Sequence, residues 1–380
     1  MLFIKYRRVW WRVKTVLVIL LTVVIVSLTF VSLASIISHH YWVVVMMQRM
    51  AERTKLVDHT CHKYSNFLLQ QYAGSLNADP TRWSTVNKTL LANPDVLVDR
   101  QHRLAWCKVP KVASTSLVHG LLRVLGQEHL INEIPRGQLH TRLRHLMPHP
   151  ALQEDVSFCT TFMVVRHPFQ RILSAYRDKL QNKWEYHQFK KFRDLYGMPI
   201  IQHYRNKPQP PEYIDVPTFW EFVEYLVSTP ASDYNEHWRP YYLVCTPCHH
   251  HYSVILHLEA MDEETQYLVH ITNLEGLKPL YVHTTNLSGP IPHFHKVPDN
   301  HRAKTHDHIH SKKASSGNLD RMTHSKRDQD HKSAQNIEAL LFSQIDRTQL
   351  VKLYEIYKVD FEMFGYDLSP YNTYVNATSK

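Results

Sequence analysis

The run Trp106-Cys107-Lys108-Val109-Pro110-Lys111-Val112-Ala113-Ser114-Thr115-Ser116 concentrates one loop lysine and three hydroxyls between an apolar stretch and a helical one. Leu104 to Val109 has the short apolar character of a buried strand, and Pro110 stops it because proline cannot donate to a sheet ladder. Ser114, Thr115 and Ser116 are expected to cap the next helix, whose Leu117, Val118, Leu121, Leu122 and Leu125 recur at helical spacing until Gly126. A strand, a tight loop and a helix N-terminus together make a seat for an anion. Unpaired amides and the positive end of the helix dipole face it, and Lys111 adds a full charge.

A second segment repeats the design. Phe162–Val165 reads as another buried strand, followed by Arg166-His167-Pro168-Phe169-Gln170-Arg171-Ile172-Leu173-Ser174 and then Arg177. Pro168 suits a first helical turn, Arg166 would stand at the strand's carboxyl end, and Ser174 and Arg177 share one side of the helix. Two such sites suit a ligand with anionic groups at both ends. The first loop lacks the Gly-x-x-x-x-Gly-Lys-Ser/Thr pattern, which disfavours a Walker-type NTPase. A kinase or nucleotidase would also need acidic Mg²⁺ ligands, and Glu259 and Asp262 after Leu258 are weak candidates. An inert glycan-binding protein would have no use for two separated phosphate seats.

At these residues the chain resembles a known family. Pro110–Ser116 is similar to the 5′-phosphosulfate loop, and Arg166–Ser174 to the 3′-phosphate site, of the Golgi carbohydrate sulfotransferases, in the branch containing the chondroitin and dermatan 4-O-sulfotransferases and the HNK-1 sulfotransferase. Asn235-Glu236-His237-Trp238-Arg239-Pro240 with Cys245-Thr246-Pro247-Cys248, and Leu353–Phe361 with Phe364-Gly365-Tyr366, resemble two further blocks of that branch in the same order. Inside the loop the chain departs from its relatives, with Ser114 where cysteine is common and Ser116-Leu117 in place of a polar–tryptophan pair. The resemblance implies transfer of a sulfonate from 3′-phosphoadenylyl sulfate to a sugar hydroxyl, with Lys111 and the Ser114–Ser116 amides at the 5′ end and Arg166 and Ser174 at the 3′ end. It implies His237 as the base that takes the acceptor proton, with His119 and Glu236 as fallbacks. Arg171 and Arg177 rank lower, as structural ion-pair candidates. The implied acceptor is a glycosaminoglycan or glycoprotein glycan, first of all the 4-O position of GalNAc, and neither a nucleic acid nor a metal is expected.

Positioning these groups calls for an α/β fold, a parallel sheet flanked by helices with the P-loop-like phosphosulfate loop at the strands' carboxyl ends. At 380 residues and 44% apolar content the chain can bury a large core, and only 9 glycines argue against a fibrous design. Residues 101–370 are the expected catalytic domain and 371–380 a tail. Before them, residues 1–14 are basic and free of acid, and 15–38 carry no charge. A helix over that stretch would reach about 36 Å, enough to cross a bilayer, with the basic flank cytoplasmic and the remainder in a Golgi lumen. The run is too long for a usual cleaved signal, so a signal anchor is expected, as in a single-pass type II protein. Residues 39–100 read as a stem with possible helices around Met46–Val57 and Tyr64–Tyr72.

The remaining features are less specific. Lys183, Lys190, Lys191, Arg193, Arg205 and Lys207 suggest an acceptor groove for a polyanion, in keeping with the net charge of +10. Phe219–Val227 behind Thr218, Asp262–Leu268, Ile337–Phe342 and Arg347–Phe364 read as helices, and Tyr252–Leu258 as a strand. Residues 296–335 are rich in His, Lys, Ser and Asp and poor in apolar groups, so a disordered insertion is expected. Asn87, Asn286 and Asn376 head glycan-acceptor sequons. Of five cysteines, Cys107 and Cys159 are expected as packed small hydrophobes. Cys245 and Cys248, followed by three histidines, lack a partner pair at zinc-finger spacing, so a structural disulfide is expected, within the pair or to another cysteine.

Overall fold

The computed structural model describes residues 2–76, 95–148, 156–181, 186–210, 213–278 and 335–375. The three sequons and nearly all of the 296–335 insertion lie outside the described residues. The chain divides into two compact units, residues 1–52 and 53–380.

The first unit is the greater part of a helix, Leu2–Lys63. A segment of this helix is long and apolar enough to cross a membrane, with a mean hydropathy of 2.6 in its most apolar window. Leu20, Val26, Phe30 and Ile36 are all more than half exposed, an apolar surface that suits an apolar solvent.

The second unit is built on a four-stranded sheet in the order β1 (Val96–Asp99), β2 (Leu104–Cys107), β3 (Thr160–Val165) and β4 (Val254–His257). β2, β3 and β4 run parallel, and β1 pairs antiparallel with β2 through a tight connection. The parallel strands are apolar except at Thr160, Thr161 and His257 at their ends, as strands covered on both faces must be. β2 ends at Cys107, two residues before the expected end, with the Lys108 N–H still donating to the carbonyl of Asp95 just ahead of β1. The helix after the loop spans Ser114–Val124, and Gly126 at φ 66 closes it, with the Gln127 N–H reaching the Leu122 carbonyl. Thr218 and Glu221 form a reciprocal capping box on Phe219–Ser228. That helix, Pro168–Tyr176, helix 335–342 and Arg347–Met363 enclose an aromatic-rich core around Phe169, Tyr176, Phe222, Trp238 and Phe342.

Two expectations change here. The stem does not reach residue 100: the compact unit begins at Arg53, and β1 is an edge strand of its sheet. Arg53 grips Glu264 through two bonds of 2.7 and 2.8 Å and also donates to the Ile255 carbonyl, while the Tyr72 hydroxyl donates to the Tyr242 carbonyl. Composition hid this because the segment's polar residues find their partners some 200 positions away. Cys107 is not a packed thiol but is bonded to Cys245, and Cys61 is bonded to Cys248. The Cys-x-x-Cys pair is therefore split between two distant partners, and neither sulfur is available as a metal ligand. Cys159 belongs to neither bridge. In the chain-entropy picture, closing loops of 187 and 138 residues stabilises the fold by about 5 kcal/mol each.

One buried side chain ties the layers together. Arg171 is 1% exposed, and its guanidinium donates to the carbonyls of Pro110 at 3.0 Å, Arg239 at 2.6 Å and Glu236 at 2.8 Å. Its charged carbon also lies 4.7 Å from the centre of the Tyr241 ring. Arg171 was expected among the donor-binding residues. Its donors are spent on backbone, so its place is that of a tie between two loops. Replacing Arg171 with Met should strand three buried carbonyls and destabilise the chain by about 3–5 kcal/mol, read as a lowered urea midpoint of the detergent-solubilised protein. A midpoint within error of the parent's would refute this role.

Candidate functional site

The site forms where β2 and β3 end. Between Cys107 and the Ser114–Val124 helix the backbone turns sharply, and two residues that are not glycine, Lys111 at φ 72 and Ala113 at φ 60, adopt the left-handed region. Each costs on the order of 1–3 kcal/mol, a strain that persists only where the surroundings impose it. The result corrects the expected capping. Ala113 takes the N-cap position and no side chain caps the helix, so Ser114, Thr115 and Ser116 occupy its first turn. Their amides, which have no partner within the helix, open into the loop's concavity together with the dipole.

Lys111 is 10% exposed and its Nζ lies 2.8 Å from Asp178 Oδ2, while Lys179 Nζ reaches the same oxygen at 3.2 Å. Asp178 and Lys179 sit on a π-helical turn, Arg177–Gln181, that continues the Pro168–Tyr176 helix. The wider turn rotates them out of α-helical register, which is why spacing in the sequence did not reveal them. Burial favours the neutral form of Asp178, but the two ammonium groups outweigh it and hold the carboxyl down at about 2. Burial pulls the Lys111 pKa down, with Asp178 opposing and Lys179 and Arg166 reinforcing the fall.

Arg166 follows β3 directly, and its Nη1 lies 3.5 Å from the Lys111 carbonyl, so the two cationic segments meet. Tyr241 holds the Arg166 backbone at both ends: the Arg166 N–H donates to its hydroxyl at 2.8 Å, and the hydroxyl donates to the Arg166 carbonyl at 3.1 Å. Tyr241 is in turn fixed by Asp360, a wholly buried acid that accepts the N–H groups of Tyr241 and Tyr242 and whose pKa burial pushes up to about 7. His167 caps the Pro168–Tyr176 helix, Nδ1 accepting from the Phe169 N–H, while its ring stacks on Tyr371. Glu259, weighed as a metal ligand, instead accepts the His167 N–H and the Tyr366 hydroxyl. Among the expected donor-site residues, Phe169, Ile172 and Leu173 are core members, Pro168 is buried at the helix start, and Gln170 bonds Glu338. Ser174 is nearly buried on the same helix.

His237 approaches from the opposite loop. Its Nδ1 is 2.6 Å from Asn235 Oδ1, an acceptor, which fixes the proton on Nδ1 and leaves Nε2 with a lone pair. The His237 N–H also donates to the same oxygen, and the Asn235 amide donates to the Tyr196 hydroxyl. Burial first, then the charges of Lys179 and Lys111, hold the His237 pKa well below 6.5. The pKa of the fallback His119 is lowered by burial first and then by the charges of Arg136 and Arg123. The Asn-x-His spacing was a legible sign of this arrangement that the sequence reading left unused.

Of the six cations expected to line a polyanion groove, Lys190, Arg193 and Arg205 have acidic partners, and Lys183 lies outside the described residues. Arg205 is buried against Glu221 and two carbonyls, and Lys190 and Arg193 pair with Asp194.

The profile of the Sulfotransferase family matches residues 94–367. The chain is 28% identical over 288 residues to carbohydrate sulfotransferase 11 of Rattus norvegicus, covering 73% of this chain and 68% of that protein. It is 30% identical over 226 residues to carbohydrate sulfotransferase 14 of Danio rerio (54% of this chain, 55% of that one) and 26% identical over 195 residues to carbohydrate sulfotransferase 10 of Gallus gallus (48% and 53%). No solved structure is a significant match. The matched span begins just before β1, takes in both cationic segments and the His237 loop, and ends past the Arg347–Met363 helix: the chain belongs to the sulfotransferase family.

Proposed function

We propose that this enzyme moves a sulfonate group from 3′-phosphoadenylyl sulfate to a sugar hydroxyl, with the 4-O position of GalNAc in chondroitin or dermatan as acceptor, and that it works as a type II protein of the Golgi membrane. The observation that carries the donor half is the meeting of Arg166 with the Lys111 loop at the carboxyl ends of adjacent parallel strands. The acceptor half rests on the resemblance of the His237 and C-terminal blocks. The apolar N-terminal helix supports the anchor.

The donor supplies an activated sulfonyl group on a phosphate leaving group. The strained loop supports this reading by offering its amides and Lys111 to one anionic end, and Arg166, with Ser174 on the helix that follows it, is assigned the phosphate at the other. Lys111 and the first-turn amides of Ser114–Ser116 stabilise the negative charge that grows on the leaving oxygen, and they do so without reorganising. His237 Nε2 takes the acceptor's hydroxyl proton, and Asn235 keeps the ring in the tautomer that can do so. Lys111 is held by Asp178 in this state and must exchange that partner for the ligand.

Lys111→Ala should lower kcat by about 10²–10³ or more with the unfolding midpoint nearly unchanged, since one preorganised cation is lost from the leaving group. Turnover at the parent's rate would reject the loop's assignment. Arg166→Ala should weaken binding of adenosine 3′,5′-bisphosphate about 10–100-fold by calorimetry, the worth of a charged hydrogen bond. Unchanged affinity would remove Arg166 from the donor site.

The pH profile follows from the cations around His237. They disfavour its imidazolium, so kcat/KM for the donor should stay flat on the acid side until the pH falls below about 6.5. With donor saturating, the limb in kcat should move to higher pH, because the bound anion offsets those cations. A donor-independent limb above pH 7 would exclude His237 as the base.

A further inference from the structure

Lys179 has no part in the scheme above, yet it is nearly as enclosed as Lys111, the two side chains being 13% and 10% exposed. Their ammonium groups converge on a single atom: Lys111 Nζ lies 2.8 Å and Lys179 Nζ 3.2 Å from Asp178 Oδ2. Adjacent residues on a helix do not face each other, so the pairing of 178 with 179 is imposed by what packs around them. That packing is aromatic. Lys179 Nζ stands 5.2 Å from the centre of the Phe192 ring, at the end of the helix Tyr186–Phe192. The same ring meets the His237 ring at 86°, with centroids 5.4 Å apart, and packs against Tyr196 and Trp238. One ammonium therefore shares an oxygen with Lys111 and an aromatic ring with His237.

Lys111 and His237 mark the two ends of the proposed reaction. The S–O bond to the donor's phosphate breaks, and its electron pair goes to the phosphate oxygen beside Lys111. The sugar oxygen supplies the pair for the new S–O bond, and its proton goes to His237 Nε2. The sulfonate lies between, and its three outer oxygens carry the negative charge throughout, much as in phosphoryl transfer. A group that neutralises them has to stand near both ends, as Lys179 does. After burial, its charge also lowers the His237 pKa more than that of Lys111 does. Asp178 supplies the complementary observation. Two ammonium groups repel each other around a shared point unless an anion sits there, and the carboxylate meets that need while its side chain stays 37% exposed.

We infer that Lys179 is a second catalytic lysine, whose ammonium holds an outer oxygen of the sulfonate during transfer, and that Asp178 holds that oxygen's place between the two lysines until the donor displaces it. The inference rests on the proposed donor site and assigns a further residue to its reaction. On entry of the donor, the Asp178 carboxylate turns out toward water, and an oxygen of the phosphosulfate takes over the contact with both ammonium groups. Lys111 then serves the leaving oxygen and Lys179 the group in transit, so the charge that develops is met from two directions without reorganisation.

The test compares the full-length, detergent-solubilised enzyme with Lys179→Met, Lys179→Arg and Asp178→Asn, reading kcat on desulfated chondroitin and calorimetric affinity for adenosine 3′,5′-bisphosphate, which has no sulfonate. Lys179→Met keeps an unbranched chain against Phe192 and should lower kcat about 10²-fold, while its affinity for the bisphosphate stays within about twofold of the parent's. Lys179→Arg restores the charge and should recover part of that kcat. Asp178→Asn removes a like charge from an anion's seat, so it should bind the bisphosphate about 3–10-fold more tightly than the parent. A Lys179→Met enzyme that keeps the parent's kcat, or loses bisphosphate affinity in the same proportion as kcat, overturns the role of Lys179. An Asp178→Asn enzyme whose affinity is unchanged or weaker overturns that of Asp178, and either result leaves the donor reading untouched. A parent that fails to bind adenosine 3′,5′-bisphosphate would overturn the donor reading itself.

Discussion

The guanidinium of Arg171 is the constraint on which the site's geometry depends. It holds the carbonyl of Pro110, at the root of the anion loop, and those of Glu236 and Arg239, on either side of His237. Neither loop is regular, so neither has a hydrogen-bond ladder to fix its position, and each carries backbone acceptors that burial would otherwise leave unmet. One planar cation meets three of them at once. The Cys107–Cys245 bridge acts on the same pair of segments covalently, linking the end of β2 to the helix Tyr241–Val244 beyond His237. The lysine and the histidine therefore keep a fixed separation although they sit 126 positions apart in the sequence.

The electrostatics follow from that enclosure. Lys111, Lys179 and Arg166 lie close together at the ends of β2 and β3, and Asp178 touches two of them. Such a cluster is costly on its own and favourable when a highly charged ligand enters. The strained φ angles of Lys111 and Ala113 belong to the same account, since both represent stability given up to aim donors at a point in space. The core that offsets these costs is aromatic, with Phe169, Phe342, Phe361 and Tyr371 packed edge to face around the helix that carries Arg171.

How much of this was legible depended on the range of the interactions concerned. β2, β3, the loop helix with its Gly126 stop and the Thr218 cap are set by neighbours within a few residues, and apolar periodicity and capping chemistry located them to within two or three positions. The lysine and arginine of the two anion segments were legible for the same reason. What stayed hidden was set at long range. Asp178 reaches Lys111 across 67 positions through a π-helical turn that periodicity does not encode, and the three carbonyls that hold Arg171, ranked from the sequence as an ion-pair candidate, lie 61 to 68 positions away. The cysteine partners and the docking of Arg53 on Glu264 are likewise properties of the folded chain, and composition alone drew the domain boundary too late.

The nesting of the two bridges has a consequence for how the molecule matures. The Cys107–Cys245 loop lies wholly inside the one closed by Cys61 and Cys248, so neither can close before the chain has been delivered to an oxidising compartment as far as its Pro247 neighbourhood. Closure therefore waits on nearly two hundred residues of synthesis after Cys61 has emerged, and until then its thiol must be kept from the wrong partner. A secreted version cut at residue 100 would shed Cys61 and β1 together, orphaning Cys248 and baring the edge of β2. What reads as a dispensable tether is the first piece the catalytic unit needs.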